Sequence, residues 1–222
     1  MIEVKNLVKN YKSGDIETHV LKGVSLAVKN GQWVAIMGRS GAGKSTLMYQ
    51  MSLLDNPTSG EILIDGREAH TLSDKEKILM RLYKFGYVFQ DYALMPELTA
   101  MENIVLPLLM ENMSTDVAEA KAKEALEKVG LGARLRNLPS QLSGGEQQRV
   151  SIARAIAESP EILFADEPTA NLDRESSKAV MNIFSELHKS GQTIVMVTHE
   201  EEYGKLAERL IVLDDGQIVS DS

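Results

Sequence analysis

The stretch from Gly38 to Thr46 has the residue types and spacing of a site for the phosphates of a nucleotide. It fits the pattern G-x-x-x-x-G-K-[ST], with Gly38, Gly43, Lys44 and Ser45 at the four fixed positions. The glycines let successive backbone N–H groups point into one concavity, and a helix that starts there adds partial positive charge. Lys44 is therefore expected to reach the β- and γ-phosphates, and the Ser45 hydroxyl to bind Mg²⁺.

The residues on either side of this stretch predict the elements that would position it. The apolar run from Trp33 to Met37 predicts a buried strand, and residues Leu47 to Leu54 predict a helix. This order of strand, loop and helix is the context that the pattern requires. A glycine-rich turn with a chance lysine is the alternative, but it leaves the other fixed positions unexplained.

Composition narrows the class of protein. The chain has 222 residues, which suits one sizeable domain or a core with a modest insertion. Its net charge of −8 argues against a nucleic-acid binder that relies on a broad basic face, so no nucleic-acid partner is expected. The absence of cysteine excludes a disulfide framework and a thiolate metal site.

No stretch of the sequence predicts membrane insertion. The N-terminal residues lack the apolar run of a signal peptide, and apolar stretches such as Ile104 to Met110 are too short to cross a bilayer. We therefore expect a soluble protein whose membrane role, if it has one, comes through a partner.

Strand and helix patterns alternate at both ends of the chain, which predicts an α/β fold with a mostly parallel sheet. A hairpin turn is expected at Asn30-Gly31, and Thr115 is expected to cap a helix over 116–129. Between Gln90 and Pro160 helical periodicity replaces strand patterns. We therefore divide the chain into an α/β core, residues 1–89 and 161–222, and an inserted helical subdomain, residues 90–160. The other predicted strands are 2–11, 20–28, 61–64, 85–89, 162–165, 193–197, 209–214 and 217–220. The other predicted helices are 73–83, a helix from 145 or 146 to 158, 175–189 and 202–207.

Two carboxylates follow the apolar run from Ile162 to Ala165. Ligands collect at the carboxyl ends of strands in an open α/β sheet, so Asp166 and Glu167 are both expected to face the nucleotide. Asp166 would bind Mg²⁺, directly or through water, and Glu167 would act as general base on the attacking water. Such a pair is common at strand ends. Its functional interpretation is favoured here because the same chain contains the phosphate-binding pattern.

The segment from Leu142 to Gln147 predicts a second anion-binding helix start. Ser143 and Glu146 have the spacing of a capping box, which alone indicates only that a helix begins. Two adjacent glycines, Gly144 and Gly145, leave that helix terminus without bulky side chains and favour the close approach of an anion. Because one phosphate-binding helix start already exists, the second is expected to bind the γ-phosphate held by another copy of the chain.

Together these segments resemble the ATP-binding subunit of an ATP-binding-cassette (ABC) transporter over essentially the whole chain. Residues 142–147 match the family's signature motif, 38–45 the Walker A loop, 162–166 the Walker B strand and 170–173 the D-loop. The resemblance implies a P-loop NTPase core with an N-terminal antiparallel β subdomain and the helical insertion. It also implies that Gln90 contacts Mg²⁺ and water, that His199 contacts the γ-phosphate, and that Tyr11 stacks on adenine.

The resemblance assigns three sets of residues, with ATP and Mg²⁺ as ligands. The implied catalytic residues are Lys44, Gln90, Glu167 and His199. The implied ATP-binding residues are Tyr11, Gly38, Arg39, Ser40, Gly41, Ala42, Gly43, Lys44, Ser45, Thr46, Ser143, Gly144, Gly145 and Glu146. The implied metal ligands are Ser45, Gln90 and Asp166.

The same resemblance implies an ATPase that forms a homodimer around two ATP molecules and drives a membrane permease. It would be a cytoplasmic protein, peripheral on the inner face of the membrane through that permease and not inserted itself. Residues 53–60 and 166–173 are similar to the lipoprotein-releasing and macrolide-exporting branch. A cell-division ATPase of that branch and a non-transport ABC ATPase are the alternatives. A P-loop kinase or a GTPase would not explain residues 142–147, and a GTPase would also need an N-K-x-D motif that the sequence lacks.

Overall fold

The computed structural model describes all 222 residues, which form ten strands and seven α-helices. In chain order the strands are β1 (Ile2–Ser13), β2 (Ile16–Val28), β3 (Trp33–Met37), β4 (Ser59–Ile64), β5 (Arg67–Glu68), β6 (Phe85–Val88), β7 (Ile162–Asp166), β8 (Thr193–Val197), β9 (Arg209–Asp214) and β10 (Gln217–Asp221). The helices are α1 (Lys44–Met51), α2 (Asp74–Tyr83), α3 (Ala100–Met110), α4 (Thr115–Lys128), α5 (Gly144–Ile156), α6 (Arg174–Lys189) and α7 (Glu201–Gly204). The chain divides into two compact units, Met1–Arg81 with Gly191–Ser222, and Leu82–Ser190.

The first unit contains an antiparallel sheet with the strand order β2-β1-β4-β5. Apolar residues of three strands turn inward and are buried, among them Ile2, Val4, Leu21, Val24 and Ile62. This burial on one face is what stabilises an antiparallel sheet whose other face is solvated. The expected N-terminal antiparallel β subdomain is therefore confirmed.

The first unit also contains the strand that precedes the phosphate-binding stretch. β3 lies between β8 and β9 and is parallel to both, and β10 pairs antiparallel with β9. Residues Trp33–Ile36 and the whole of β8 are buried, as expected for parallel strands that are covered on both faces. The two strands expected over 209–214 and 217–220 form as β9 and β10, and they pair as a hairpin.

The prediction of a hairpin at Asn30-Gly31 is wrong. A turn does form there, because the Gln32 N–H donates to the Lys29 carbonyl at 3.2 Å. However, β2 pairs with β1, and β3 pairs with β8 and β9. Asparagine followed by glycine favours a local reversal of the chain, but the partner of the next strand is decided by burial, and the wholly apolar β3 takes a central position.

The second unit combines a parallel strand pair with four helices. β6 and β7 are parallel, with Val88 opposite Ala165. Residues 90–160 contain α3, α4 and α5 and no strand. These three helices pack together through buried apolar side chains such as Ile104, Ala122 and Val150. None of the helices of the chain is both long and apolar enough to span a membrane.

The predicted helices begin within two residues of their expected starts, with one exception. α1 begins at Lys44, three residues before Leu47, because the phosphate-binding stretch itself enters the helix. Thr115 is the first residue of α4, and Ser114 occupies the cap position without a side-chain hydrogen bond. α3 was not predicted, although Thr99 and Glu102 form a capping box at its start. Pro107 inside that helix obscured its pattern.

Candidate functional site

The phosphate loop, residues 38–46, joins the end of β3 to the first turn of α1. Gly43 is the cap residue, with a left-handed φ of 98°, and no side chain caps the helix. Since the first N–H groups of a helix have no partner within it, this terminus offers donors to an anion. Lys44 is 6% exposed, and its Nζ donates to the carbonyl oxygens of Gly38 at 3.0 Å and Arg39 at 3.1 Å. The backbone N–H donors of this terminus and the Lys44 ammonium, which lies across the loop, suit a polyphosphate ligand.

Two glycines of the phosphate loop have different reasons to be glycine. A Cβ on Gly38 would lie 2.1 Å from the Leu213 carbonyl oxygen, so β9 leaves no room for a side chain there. A Cβ on Gly41 would meet nothing within 4 Å, although its φ of +81° still favours glycine. The loop is thus packed against the sheet at its first residue and open at its centre.

His199 lies at the same sheet edge as the phosphate loop. Ile36 of β3 is opposite Val197 of β8, and the Thr198 N–H donates to the Ile36 carbonyl at 3.2 Å. Because both strands run in the same direction, the residues that follow them meet at one edge. His199 is exposed there. The first unit therefore brings His199 to the edge at which Gly38 begins the loop.

Tyr11 presents an exposed ring beside α1. Its side chain is 43% exposed, and its hydroxyl donates to Asp55 Oδ2 at 2.7 Å. The Lys9 Nζ lies 4.7 Å from the ring centroid. Burial, followed by the contact with Asp55, raises the pKa of the Tyr11 hydroxyl, while an interaction with Thr46 opposes this rise. The expected base-stacking residue thus lies beside the phosphate loop.

In the second unit, Gln90 and the carboxylates follow neighbouring parallel strands. Val88 opposite Ala165 puts the end of β6 beside the end of β7. Asp166 is 5% exposed, and Glu167 is partly exposed. Glu167 has a left-handed φ of 43°, an uncommon conformation for a residue other than glycine, which costs about 1–3 kcal/mol. The second unit therefore brings Gln90, Asp166 and Glu167 to one sheet edge.

The donor atoms of the expected metal ligands suit Mg²⁺. The Ser45 hydroxyl, the Gln90 amide oxygen and the Asp166 carboxylate are oxygen ligands, which this ion prefers. No group of three or more His, Cys, Asp or Glu side chains could hold a metal by itself. Mg²⁺ usually takes one or two carboxylates and completes its shell with water and substrate phosphate. The residues present therefore fit an ion that binds together with a nucleotide.

Side chains of α5 and of residues 166–173 hold the backbone around Gln90. Asn171 Nδ2 donates to the Gln90 carbonyl at 3.0 Å, and Gln148 Nε2 donates to the Pro168 carbonyl at 2.8 Å. The Arg154 guanidinium donates to the carbonyls of Tyr92 at 3.0 Å and Ala93 at 2.5 Å. Burial lowers the pKa of Arg154. The segment after Gln90 is therefore fastened to α5.

Sequence reasoning missed Gln148 and Arg154. The available signal was their place on the buried side of α5, since Gln148 is 0% exposed and Arg154 is mostly covered. A polar side chain on a buried helix face must find hydrogen-bond partners. Which backbone it finds depends on the loop packed against it, and the sequence does not specify that loop.

The capping box expected at the start of α5 is confirmed. The Glu146 N–H donates to Ser143 Oγ at 3.2 Å, and the Ser143 N–H donates to Glu146 Oε2 at 2.8 Å. This backbone hydrogen bond holds the pKa of the Glu146 carboxyl below its ordinary value. Ser143 itself is exposed. The N–H groups of Ser143 and Glu146 therefore have partners. Those of Gly144 and Gly145 can donate to solvent or to a ligand.

The glycines at the start of α5 also serve packing within the unit. A Cβ on Gly145 would lie 2.6 Å from Ser176 Oγ, and one on Gly144 would lie 2.9 Å from the Tyr92 hydroxyl. Asp173 caps α6 and accepts from the Ser176 N–H at 2.9 Å. An open groove lined by Ser143, Gly145, Arg149, Asp173 and Ser176 therefore has two helix N-termini beside it.

Comparison with known proteins places these features in one family. A family model described as "ABC transporter" matches residues 21–170. An uncharacterised ABC transporter ATP-binding protein of Methanocaldococcus jannaschii is 48% identical over 219 residues, covering 99% of this chain and 98% of that protein. The lipoprotein-releasing system ATP-binding protein LolD of Aquifex aeolicus is 45% identical, covering 98% of this chain and 94% of that protein.

A longer relative and a solved structure extend the comparison. The macrolide export ATP-binding/permease protein MacB of Pasteurella multocida is 46% identical over 222 residues, and this chain spans 34% of its length. The dimeric structure of the ATP-binding cassette MJ0796, in a post-hydrolysis state bound to ADP and Pi, is 41% identical. It superposes with a TM-score of 0.93 and covers 100% of this chain and 98% of that one.

Proposed function

The chain belongs to the ABC transporter family, as an ATP-binding and ATP-hydrolysing subunit of the LolD/MacB type. We propose that it works as a dimer that closes around two ATP molecules and thereby drives a membrane permease. The observation that carries this proposal is the phosphate loop. Its cation is held across an uncapped helix start, at the carboxyl end of a buried parallel strand. Such a loop binds a polyphosphate.

We assign the nucleotide contacts residue by residue. The backbone N–H groups of residues 38–46 would surround the phosphates, and the Lys44 ammonium would neutralise charge on the β- and γ-phosphates. The Tyr11 ring would stack on adenine. Ser45, Gln90 and Asp166 would hold Mg²⁺, which supplies further charge neutralisation when it is bound.

Hydrolysis needs a water molecule positioned in line with the bond to the γ-phosphate. Glu167 would accept a proton from that water, because its carboxylate follows directly after Asp166 at the strand end. His199 would donate a hydrogen bond to the γ-phosphate, and Gln90 would orient the water. Most of the acceleration then comes from positioning and from charge stabilisation, as in other phosphoryl transfers.

The start of α5 would complete the site of a second copy. Ser143, Gly144, Gly145 and Glu146 would bind the γ-phosphate held by the partner's phosphate loop, since the exposed cap and the open groove beside it leave this terminus accessible. A two-fold arrangement makes the two composite sites equivalent and places ATP within the interface. Hydrolysis replaces one covalent bond with two repelling anions, which would reopen the pair.

The permease would be reached through the segment after Gln90. We take residues 90–160 as a helical subdomain that moves when nucleotide binds, with residues 1–89 and 161–222 as the core. Residues 91–98 would contact the permease, and Met95 is 50% exposed there. The protein would then be cytoplasmic and peripheral on the inner face of the membrane. An export-type permease is proposed because relatives are named for lipoprotein release and macrolide export.

A membrane-association experiment tests the permease proposal. The tagged chain, expressed in the organism from which it comes, should sediment with the membranes. It should also co-purify with an integral membrane protein after mild detergent extraction. Met95→Glu should reduce that recovery several-fold, because a charge on a buried contact surface is costly. Ile16→Glu is the matched control, since Ile16 is an exposed apolar residue at the start of β2. Recovery of the chain without any membrane protein would contradict the proposal.

A further inference from the structure

We infer that Asp55 is a positioning residue for nucleotide binding, because it fixes the Tyr11 ring relative to the phosphate loop, and that Lys9 leaves only one face of that ring open to the base. The inference rests on the proposed function in one respect, namely that Tyr11 stacks on adenine. It adds two residues to the base site, neither of which belongs to the phosphate-binding pattern.

Asp55 accepts four hydrogen bonds, two on each carboxylate oxygen. Oδ2 accepts from the Tyr11 hydroxyl at 2.7 Å and from Gln50 Nε2 at 2.9 Å. Oδ1 accepts from Lys9 Nζ at 2.8 Å and from the Asn56 N–H at 2.7 Å. Burial raises the pKa of Asp55, but the bonds from Lys9, Tyr11 and Asn56 outweigh it and hold the pKa below its ordinary value. A fully engaged carboxylate cannot rotate, so the hydroxyl bound to it is fixed as well.

The carboxylate is also tied to the helix that starts in the phosphate loop. Gln50 belongs to α1 and is 0% exposed, and the Asp55 N–H donates to the Tyr49 carbonyl of the same helix at 3.2 Å. α1 has eight residues and is therefore about 12 Å long. Its first turn would face the phosphates of a bound nucleotide, and Gln50 in its last turn binds Asp55. One rigid helix thus sets the spacing between the phosphate donors and the Tyr11 ring.

Lys9 decides which face of the ring a base can use. Its Nζ lies 4.7 Å from the ring centroid and is held there by Asp55 and by the Asn56 carbonyl at 2.6 Å. Lys9 is only 9% exposed, so it is not free to swing away. The cation covers one face by a cation–π contact, and Tyr11 as a whole is still 43% exposed. A base must therefore stack on the face opposite Lys9.

A purely structural role for the same network makes a different prediction, because it would affect phosphate and base binding alike. Calorimetric titration of the purified chain with ADP and, separately, with pyrophosphate, both with Mg²⁺ present, distinguishes the two. Asp55→Asn and Tyr11→Phe should each weaken ADP binding about threefold to tenfold, as expected for one lost charge-assisted hydrogen bond. Pyrophosphate binding should change by less than about twofold, because neither variant alters a residue of the phosphate loop. Tyr83→Phe, at another exposed tyrosine, is the matched control.

Tyr11→Ala separates a failure of this inference from a failure of the stacking assignment. If Tyr11→Ala leaves ADP binding unchanged, Tyr11 does not stack on the base and the assignment itself is wrong. If Tyr11→Ala weakens ADP binding while Asp55→Asn and Tyr11→Phe do not, stacking stands and positioning by Asp55 is overturned. Equal losses for ADP and pyrophosphate would also overturn it, in favour of a structural role. Tyr11→Phe keeps the ring, so it remains informative even if Asp55→Asn fails to fold.

Discussion

Exchange of Glu167 for glutamine is expected to slow ATP hydrolysis by a factor of about 10² to 10⁴, the usual contribution of a general base. Glutamine keeps the size of the side chain and its hydrogen-bonding capacity but cannot accept the proton of the attacking water. Phosphate-loop contacts are unchanged, so nucleotide affinity should stay within about twofold of the wild-type value. Phosphate release by the purified variant at saturating Mg-ATP measures the effect.

The matched control for Glu167→Gln is Glu161→Gln. Glu161 precedes the same strand, β7, at its opposite end, and it pairs with Lys84 at 3.0 Å on the surface. An exposed ion pair of this kind contributes little to stability, so this variant should hydrolyse ATP at the wild-type rate. If Glu167→Gln hydrolyses ATP at the wild-type rate, Glu167 is not the general base, and another group must fill that role.

Mixing Lys44→Ala chains with Ser143→Arg chains is expected to restore activity that neither variant has alone. Lys44→Ala removes the cation that Gly38 and Arg39 hold across the phosphate loop. Ser143→Arg removes the cap of α5, which costs about 1 kcal/mol, and fills the groove beside it with a long side chain. A dimer of one chain of each kind has one intact composite site and one doubly defective site.

The size of that recovery follows from two-fold symmetry. Random pairing gives mixed dimers about half of the time, and each has half of its sites intact, so the mixture should recover about a quarter of the wild-type rate. Each variant alone, assayed well below its own thermal midpoint, provides the baseline. A purified mixed dimer that is no more active than these baselines would argue against independent sites shared between two chains.

The parts of the site that are local in sequence could be predicted, and those that depend on tertiary pairing could not. The phosphate loop is defined by residues within eight positions and the capping box at Ser143 by residues three positions apart, and both form as expected. β8 has the bounds predicted, because five consecutive apolar or β-branched residues leave little choice. The predicted pairing of β3 was wrong, since a turn at Asn30-Gly31 does not determine which strand lies beside β3.

The support around the site was the least predictable part. Asp55 lies 44 positions from Tyr11, and their bond depends on how β1 packs beside the end of α1. Gly145 was interpreted as an opening for an anion, yet Ser176 alone requires it to be glycine. Arg154 binds a loop 61 positions away. Sequence spacing identifies groups that contact a ligand directly, because their chemistry is distinctive, whereas the groups that hold them are ordinary polar residues.

The most direct test of ATP-driven pairing is the mass of the purified Glu167→Gln chain in solution. A monomer of 24.5 kDa is expected by light scattering without nucleotide and with ADP, and twice that mass with ATP and Mg²⁺. The variant is suited to this measurement because the closed pair should accumulate when ATP is not hydrolysed. A chain that binds ATP and yet keeps the monomer mass at high protein concentration would contradict the account, in which ATP is part of the interface between two copies.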